Sequence, residues 1–130
     1  MYWGLLATQK SSTTGTMVFN LTANTLKTVT ANVDFAVGDW VFVVGTYNKD
    51  AGGAMKLYQN GVLVGSATNT GYIAHDSTVP MFIGALGGGG MYWKGTIDEV
   101  MMFNTELTDT QIKTLYAKRW ADTQYAAWSN

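Results

Sequence analysis

Few side chains in this sequence can do acid–base or metal chemistry, and their spacing limits what they can do. The chain has 130 residues and only two glutamates, Glu99 and Glu106. Asp98 and Glu99 are adjacent. On a strand, adjacent side chains point to opposite faces, so these two cannot flank one bond as a catalytic pair. His75 is the single histidine. It lies in Ala74-His75-Asp76-Ser77-Thr78, which reads as a polar turn with an exposed imidazole. One histidine without cysteine cannot build a zinc cluster. The lack of cysteine also excludes disulfides and thiolate chemistry. Hydrolysis is the weakest expectation for this chain.

The aromatic residues offer more. Trp3, Tyr72, Tyr92 and Trp93 lie in or beside loops, where ring faces can stack on sugars or anchor a protein interface. Tyr92-Trp93 closely follows the run Gly87-Gly88-Gly89-Gly90, a segment able to close on a ligand. Trp40, Phe42, Phe82 and Phe103 are expected in the core instead. Val100 and Met102 share one face of a strand and are expected inside as well. Met101 then points the other way. A methionine there implies a covered surface, either under the C-terminal tail or against another chain. Trp128, in that tail, is the second candidate for such an interface.

These residues are carried by elements that read mostly as strands. Met17–Leu21 and Leu26–Thr30 are short β-type runs around a turn at Thr22-Ala23-Asn24-Thr25. Trp40–Tyr47 is β-branched and aromatic without polar alternation, so it predicts a central strand buried on both faces. Met55–Gln59 and Val62–Ser66 flank Asn60-Gly61, the preferred type I′ hairpin pair, since both positions need positive φ. Met81–Gly84 predicts another buried strand, and Tyr92–Phe103 a return to strand. The convincing helix start is Thr108, with Gln111 three residues on as a capping box and Leu107 with Ile112 as a hydrophobic staple. Ile112, Leu115 and Tyr116 form its apolar face.

Length fits one domain. Hydrophobic residues are 47% of the chain, enough for a packed core. Charged residues are 13% and the net charge is −1, so nothing here holds a phosphate backbone and nucleic acid is excluded as a partner. No apolar window reaches the roughly 20 residues that a spanning helix needs, and the N-terminus has no signal-peptide pattern.

Several motifs in combination resemble one family. They are Trp40 with Gly45-Thr46-Tyr47, Leu57-Tyr58-Gln59-Asn60-Gly61, Ile83-Gly84, Gly95-Thr96-Ile97-Asp98-Glu99-Val100, and Leu107-Thr108 leading to Gln111-Ile112 and Leu115-Tyr116. This order resembles the laminin-G-like branch of the concanavalin A-like lectin/glucanase superfamily, from about Leu5 to Tyr116. The resemblance implies an all-β fold: a two-sheet antiparallel jelly-roll sandwich with one short C-terminal helix. It implies a sandwich over residues 1–120 and a tail over 121–130. The glucanases of the superfamily carry Glu-x-Asp-x-x-Glu, which this chain lacks. Family members open with two further strands, about 30–40 residues, so the resemblance implies that an early strand beside Ile97–Phe103 is missing and that the edge there is open. A neighbouring chain, a second copy or the tail would cover it.

The resemblance also implies extracellular, cell-surface or virion location and two functions. One is a non-catalytic carbohydrate-binding module using Tyr72, Tyr92 and Trp93. The other is a structural or attachment domain that contacts protein, with Met101 and Trp128 at the interface. In related sandwiches, an aspartate at the position of Asp98 can hold a structural calcium; Asn48 stands where the family often has a second aspartate. The alternative for Asp98 is a hydrogen bond to backbone amides that fixes the strand end.

Overall fold

The computed structural model describes residues 3–9, 14–22, 26–34, 36, 38–71, 81–85 and 92–126. Among them are six strands and one helix: β1 (Trp3–Gln9), β2 (Thr14–Thr22), β3 (Leu26–Asp34), β4 (Val43–Asn48), β5 (Ala54–Gln59), β6 (Val62–Thr68) and α1 (Asp109–Ala126). The strands form two antiparallel sheets, ordered β1-β2-β3 and β4-β5-β6. The expected all-β sandwich with a C-terminal helix is therefore what the chain builds.

Alternation with period two sets the core. Met17, Phe19 and Leu21 of β2, with Val29 and Ala31 of β3, face Met55 and Leu57 of β5 across the sandwich. Two glycines let the sheets come this close. A methyl group on Gly45 would sit 2.9 Å from the Phe19 ring, and one on Gly65 would sit 2.8 Å from Val29 Cγ1. A different cluster lies on the other face of the second sheet. There Tyr58, Phe42 and Val44 pack against Leu107, Ile112 and Leu115 at the start of α1. The layers thus run sheet, sheet, helix.

The second sheet is covered on both faces, which explains the unbroken apolar run around β4. Its place differs from the expectation. β4 pairs only with β5, so it is an edge among the described residues, and Trp40 before it is 54% exposed. The hairpin is as read. Asn60 has φ 51 and Gly61 φ 78, and Gln59 pairs with Val62.

Buried Asn69 ties the layers together. Its N–H donates to Gly53 O at 2.8 Å, and its Nδ2 donates to Leu21 O at 3.3 Å in the first sheet. Its Oδ1 accepts the Gly71 N–H at 3.2 Å. The Tyr47 hydroxyl reaches the carbonyls of Asn69 and Gly71.

Two expected strands do not form. Met81–Gly84 has exposed side chains at Met81, Phe82 and Ile83. In Tyr92–Phe103 the one strand-type pairing among the described residues is a bridge between Ala85 and Tyr92. Phe82, Phe103, Val100 and Met102, all expected in the core, are exposed. Within the second segment Glu99 has a φ of 52, outside the extended region. At α1 the capping box is present. Thr108 N–H donates to Gln111 Oε1 at 2.8 Å, and Gln111 N–H donates to Thr108 Oγ1 at 3.3 Å. Leu107 and Ile112 are both buried, as the staple requires. The helix is longer than the cap predicts and continues to Ala126.

Candidate interaction surface

Two groups of side chains outside the central core could meet a ligand or partner. The first is polar and lies where β5 meets the start of α1. Lys56 alternates outward from Met55 and Leu57, so its ammonium reaches the helix side. It lies 3.4 Å from Glu106 Oε1. Asn48 Nδ2 donates to Glu106 Oε2 at 2.7 Å, and the Tyr58 hydroxyl donates to Asp109 Oδ1 at 2.7 Å. Burial, helped by the Asp109 carboxylate, pushes the Tyr58 hydroxyl well above its ordinary pKa. A groove of about 360 Å³ is lined by Lys56 and residues 106–110. Glu106 Oε2 accepts the Asn48 hydrogen bond, while the buried Oε1 has the ion pair with Lys56 but no hydrogen bond. The arrangement works as a clamp on the helix start rather than as a set of groups held ready for a substrate.

The second group is apolar. Met81–Ile83, Tyr92, Trp93, Ile97 and Val100–Phe103 are all exposed, Tyr92 most at 71% and Met101 least at 37%. Short contacts gather the first part of this run. Trp93 N–H donates to Gly84 O at 2.8 Å, beside the Ala85–Tyr92 bridge. A methyl group on Gly84 would lie 3.5 Å from Ile97 Cδ1. Apolar exposure of this extent is unusual for an isolated domain and marks interaction surfaces.

The predicted residues divide between these observations. Tyr92 and Trp93 are adjacent, exposed and fixed by the bridge. Met101 is on the same run, though flanked by Val100 and Met102, which are more exposed than it is. Tyr72 and Trp128 lie outside the described residues, as does His75. Asp98 Oδ1 accepts the Glu99 N–H at 2.7 Å, a backbone amide bond of the kind expected as the alternative to metal ligation. Among the described residues no three of His, Cys, Asp and Glu gather to hold a metal. Asn48 also has structural bonds: its Oδ1 accepts the N–H groups of Asp50 and Ala51 at 2.9 and 3.1 Å.

Sequence reasoning missed the outward position of Met81–Ile83 and Val100–Phe103, because buried and exposed apolar strands share one composition. It also missed the left-handed Glu99, for which a Glu in a β-type run gives no signal.

Comparison with known proteins gives a consistent picture. A family model of the concanavalin A-like lectin/glucanases superfamily, of laminin-G type, matches residues 3–113. Among solved structures, the chain is similar to part of an S-layer domain-containing protein from Clostridium thermocellum, with a TM-score of 0.52 and 22% identity. The match covers 87% of this chain and 63% of that one, so this chain spans less than two thirds of its structural neighbour. At that identity the likeness is one of fold. A search of curated proteins gave no match.

Proposed function

The chain belongs to the concanavalin A-like lectin/glucanases superfamily, and we propose that in this member the sandwich is a non-catalytic structural module that makes protein contacts in an extracellular surface assembly. The observation that carries this reading is the exposed apolar run from Met81 to Phe103. It includes Phe82, Tyr92, Trp93 and Phe103 with three methionines, and aromatic residues and methionine are enriched at protein interfaces. Carboxylates suited to hydrolysis are not paired there, and the polar cluster at α1 is internally engaged. The S-layer context of the structural neighbour suits the same reading.

Sedimentation and light scattering over a range of protein concentration test it. The expected result is concentration-dependent association that is lost when Phe82→Asp and Met102→Asp are combined. Both side chains are exposed, so the substitutions leave the fold intact. A species that stays monomeric at all concentrations would overturn the proposal.

The adjacent exposed rings of Tyr92 and Trp93 favour a second reading, a carbohydrate-binding module of the lectin type. A glycan array addresses it. Binding that disappears in Tyr92→Ala and Trp93→Ala, in a protein that does not self-associate, would move the function there.

A further inference from the structure

Asn48, Lys56 and Glu106 place an amine, an amide and a carboxylate together, the groups needed for a reaction between two side chains of the same fold. Thr46 pairs with Lys56 and Asn48 with Ala54, so Asn48 of β4 and Lys56 of β5 share the helix side of the second sheet. They are diagonal neighbours there, about 7–8 Å apart at the backbone, a gap within reach of long side chains. Glu106, just before α1, meets both. Its Oε2 accepts the Asn48 Nδ2–H at 2.7 Å, and its Oε1 lies 3.4 Å from the Lys56 ammonium. One carboxylate therefore holds an amine nitrogen on one oxygen and an amide nitrogen on the other.

The Asn48 amide is held as an electrophile. Its Oδ1 accepts the N–H groups of Asp50 and Ala51 at 2.9 and 3.1 Å. A carbonyl oxygen must face these donors and an NH2 group must face the carboxylate, so both sides of the amide agree on one orientation. Two backbone N–H groups on a carbonyl oxygen stabilise the negative charge it gains when its carbon is attacked. Glu106 Oε1 is buried and accepts no hydrogen bond, which leaves it able to take a proton. The Lys56 and Glu106 side chains are 33% and 19% exposed, so both are largely withdrawn from water.

We propose that Lys56 and Asn48 become joined by an amide bond between their side chains, with Glu106 as the proton carrier. Lys56 gives one proton to Glu106 Oε1, and the neutral Nζ attacks Asn48 Cγ. The oxyanion develops at Oδ1, against the Asp50 and Ala51 N–H groups. Glu106 returns the proton to Nδ2, and the Cγ–Nδ2 bond breaks to release ammonia. The carboxylate then takes the second proton from Nζ and hands it to the ammonia, which departs as ammonium. The Nζ–Cγ bond has formed, the Cγ–Nδ2 bond has broken, and no co-reactant is used. Each molecule reacts once, and both reactants belong to the chain, so no substrate has to bind. The product ties β4, an edge strand among the described residues, covalently to β5. The inference concerns a single folded chain and does not depend on the assembly reading.

The test is intact mass spectrometry of the full chain, kept folded at neutral pH, followed by peptide mapping. The expected mass is that of the sequence less one ammonia. Trypsin is expected to release residues 28–49 joined to a peptide that contains an uncut Lys56. Glu106→Gln keeps the shape but removes the proton carrier, and is expected to slow cross-linking at least about a hundredfold. Lys56→Arg keeps the charge opposite Glu106 and is expected to retain the full mass. Succinimide formation at Asn60-Gly61 also releases ammonia, but it would persist in Lys56→Arg and leave the 28–49 peptide unjoined. That outcome overturns the proposal, as does a wild-type chain of full mass or a Glu106→Gln chain that cross-links at the wild-type rate. The wild-type peptide map decides the matter even where a variant fails to fold. Neither mass nor map responds to association, so failure here leaves the assembly reading standing.

Discussion

At the scale of single residues, Asn48 shows why one atom type matters. Its amide donates to Glu106 and accepts from the Asp50 and Ala51 amides. A carboxylate could do only the second. Asn48→Asp would place a negative charge against Glu106 and lose a hydrogen bond to a charged group. The expected cost is about 2 kcal/mol, read by urea denaturation at neutral pH. Tyr58 supplies a prediction of opposite pH sense. Its hydroxyl is harder to ionise in the folded state than in the unfolded one. Its contribution is therefore complete below the unfolded value of about 10 and is lost as pH rises above it. Denaturation midpoints in wild type should fall more steeply between about pH 9 and about pH 11 than in Tyr58→Phe. At neutral pH, Tyr58→Phe loses the bond to the Asp109 carboxylate, about 2 kcal/mol.

At the scale of elements, the cap and the inter-sheet contacts are the sensitive points. Thr108→Ala removes the hydroxyl that accepts the Gln111 N–H and should cost about 1 kcal/mol. Gly45→Ala pushes a methyl group into the Phe19 ring and should cost about 1–3 kcal/mol. Thermal unfolding reads both. Two elements were legible in the sequence. The Asn60-Gly61 hairpin and the Thr108–Gln111 box depend on residues within a few positions of one another, so sequence carries the whole cause. The run Trp40–Tyr47 revealed that both its faces are covered, but not that it lies at an edge, since edge or centre depends on which distant strand arrives beside it. The same limit applies to Met81–Ile83 and Val100–Phe103. Their apolar content was plain, whereas inside or outside was decided by pairing that no local pattern encodes. For the candidate surface, the exposure of Tyr92 and Trp93 matches their place beside the glycine run. Asp98 was readable as an amide acceptor, and the turn at Glu99 was not.

At the scale of the whole molecule, β3 and β6 pack across the sandwich where Gly65 meets Val29. Among the described residues, β4 is an edge strand of the second sheet. Among the described residues no helix is long and apolar enough to cross a membrane. A low total charge fits this picture, because little electrostatic repulsion opposes close packing of copies.

The Asn69 clasp also governs time. Its bond to Leu21 O joins residues 48 positions apart and crosses from one sheet to the other. Such a bond forms only after both hairpins exist and have docked, which places it late on the folding route. Asn69→Ala should therefore leave the refolding rate nearly unchanged and speed unfolding, a shift of one arm of the chevron alone. The residue would then set how long each folded molecule lasts rather than how quickly it is made.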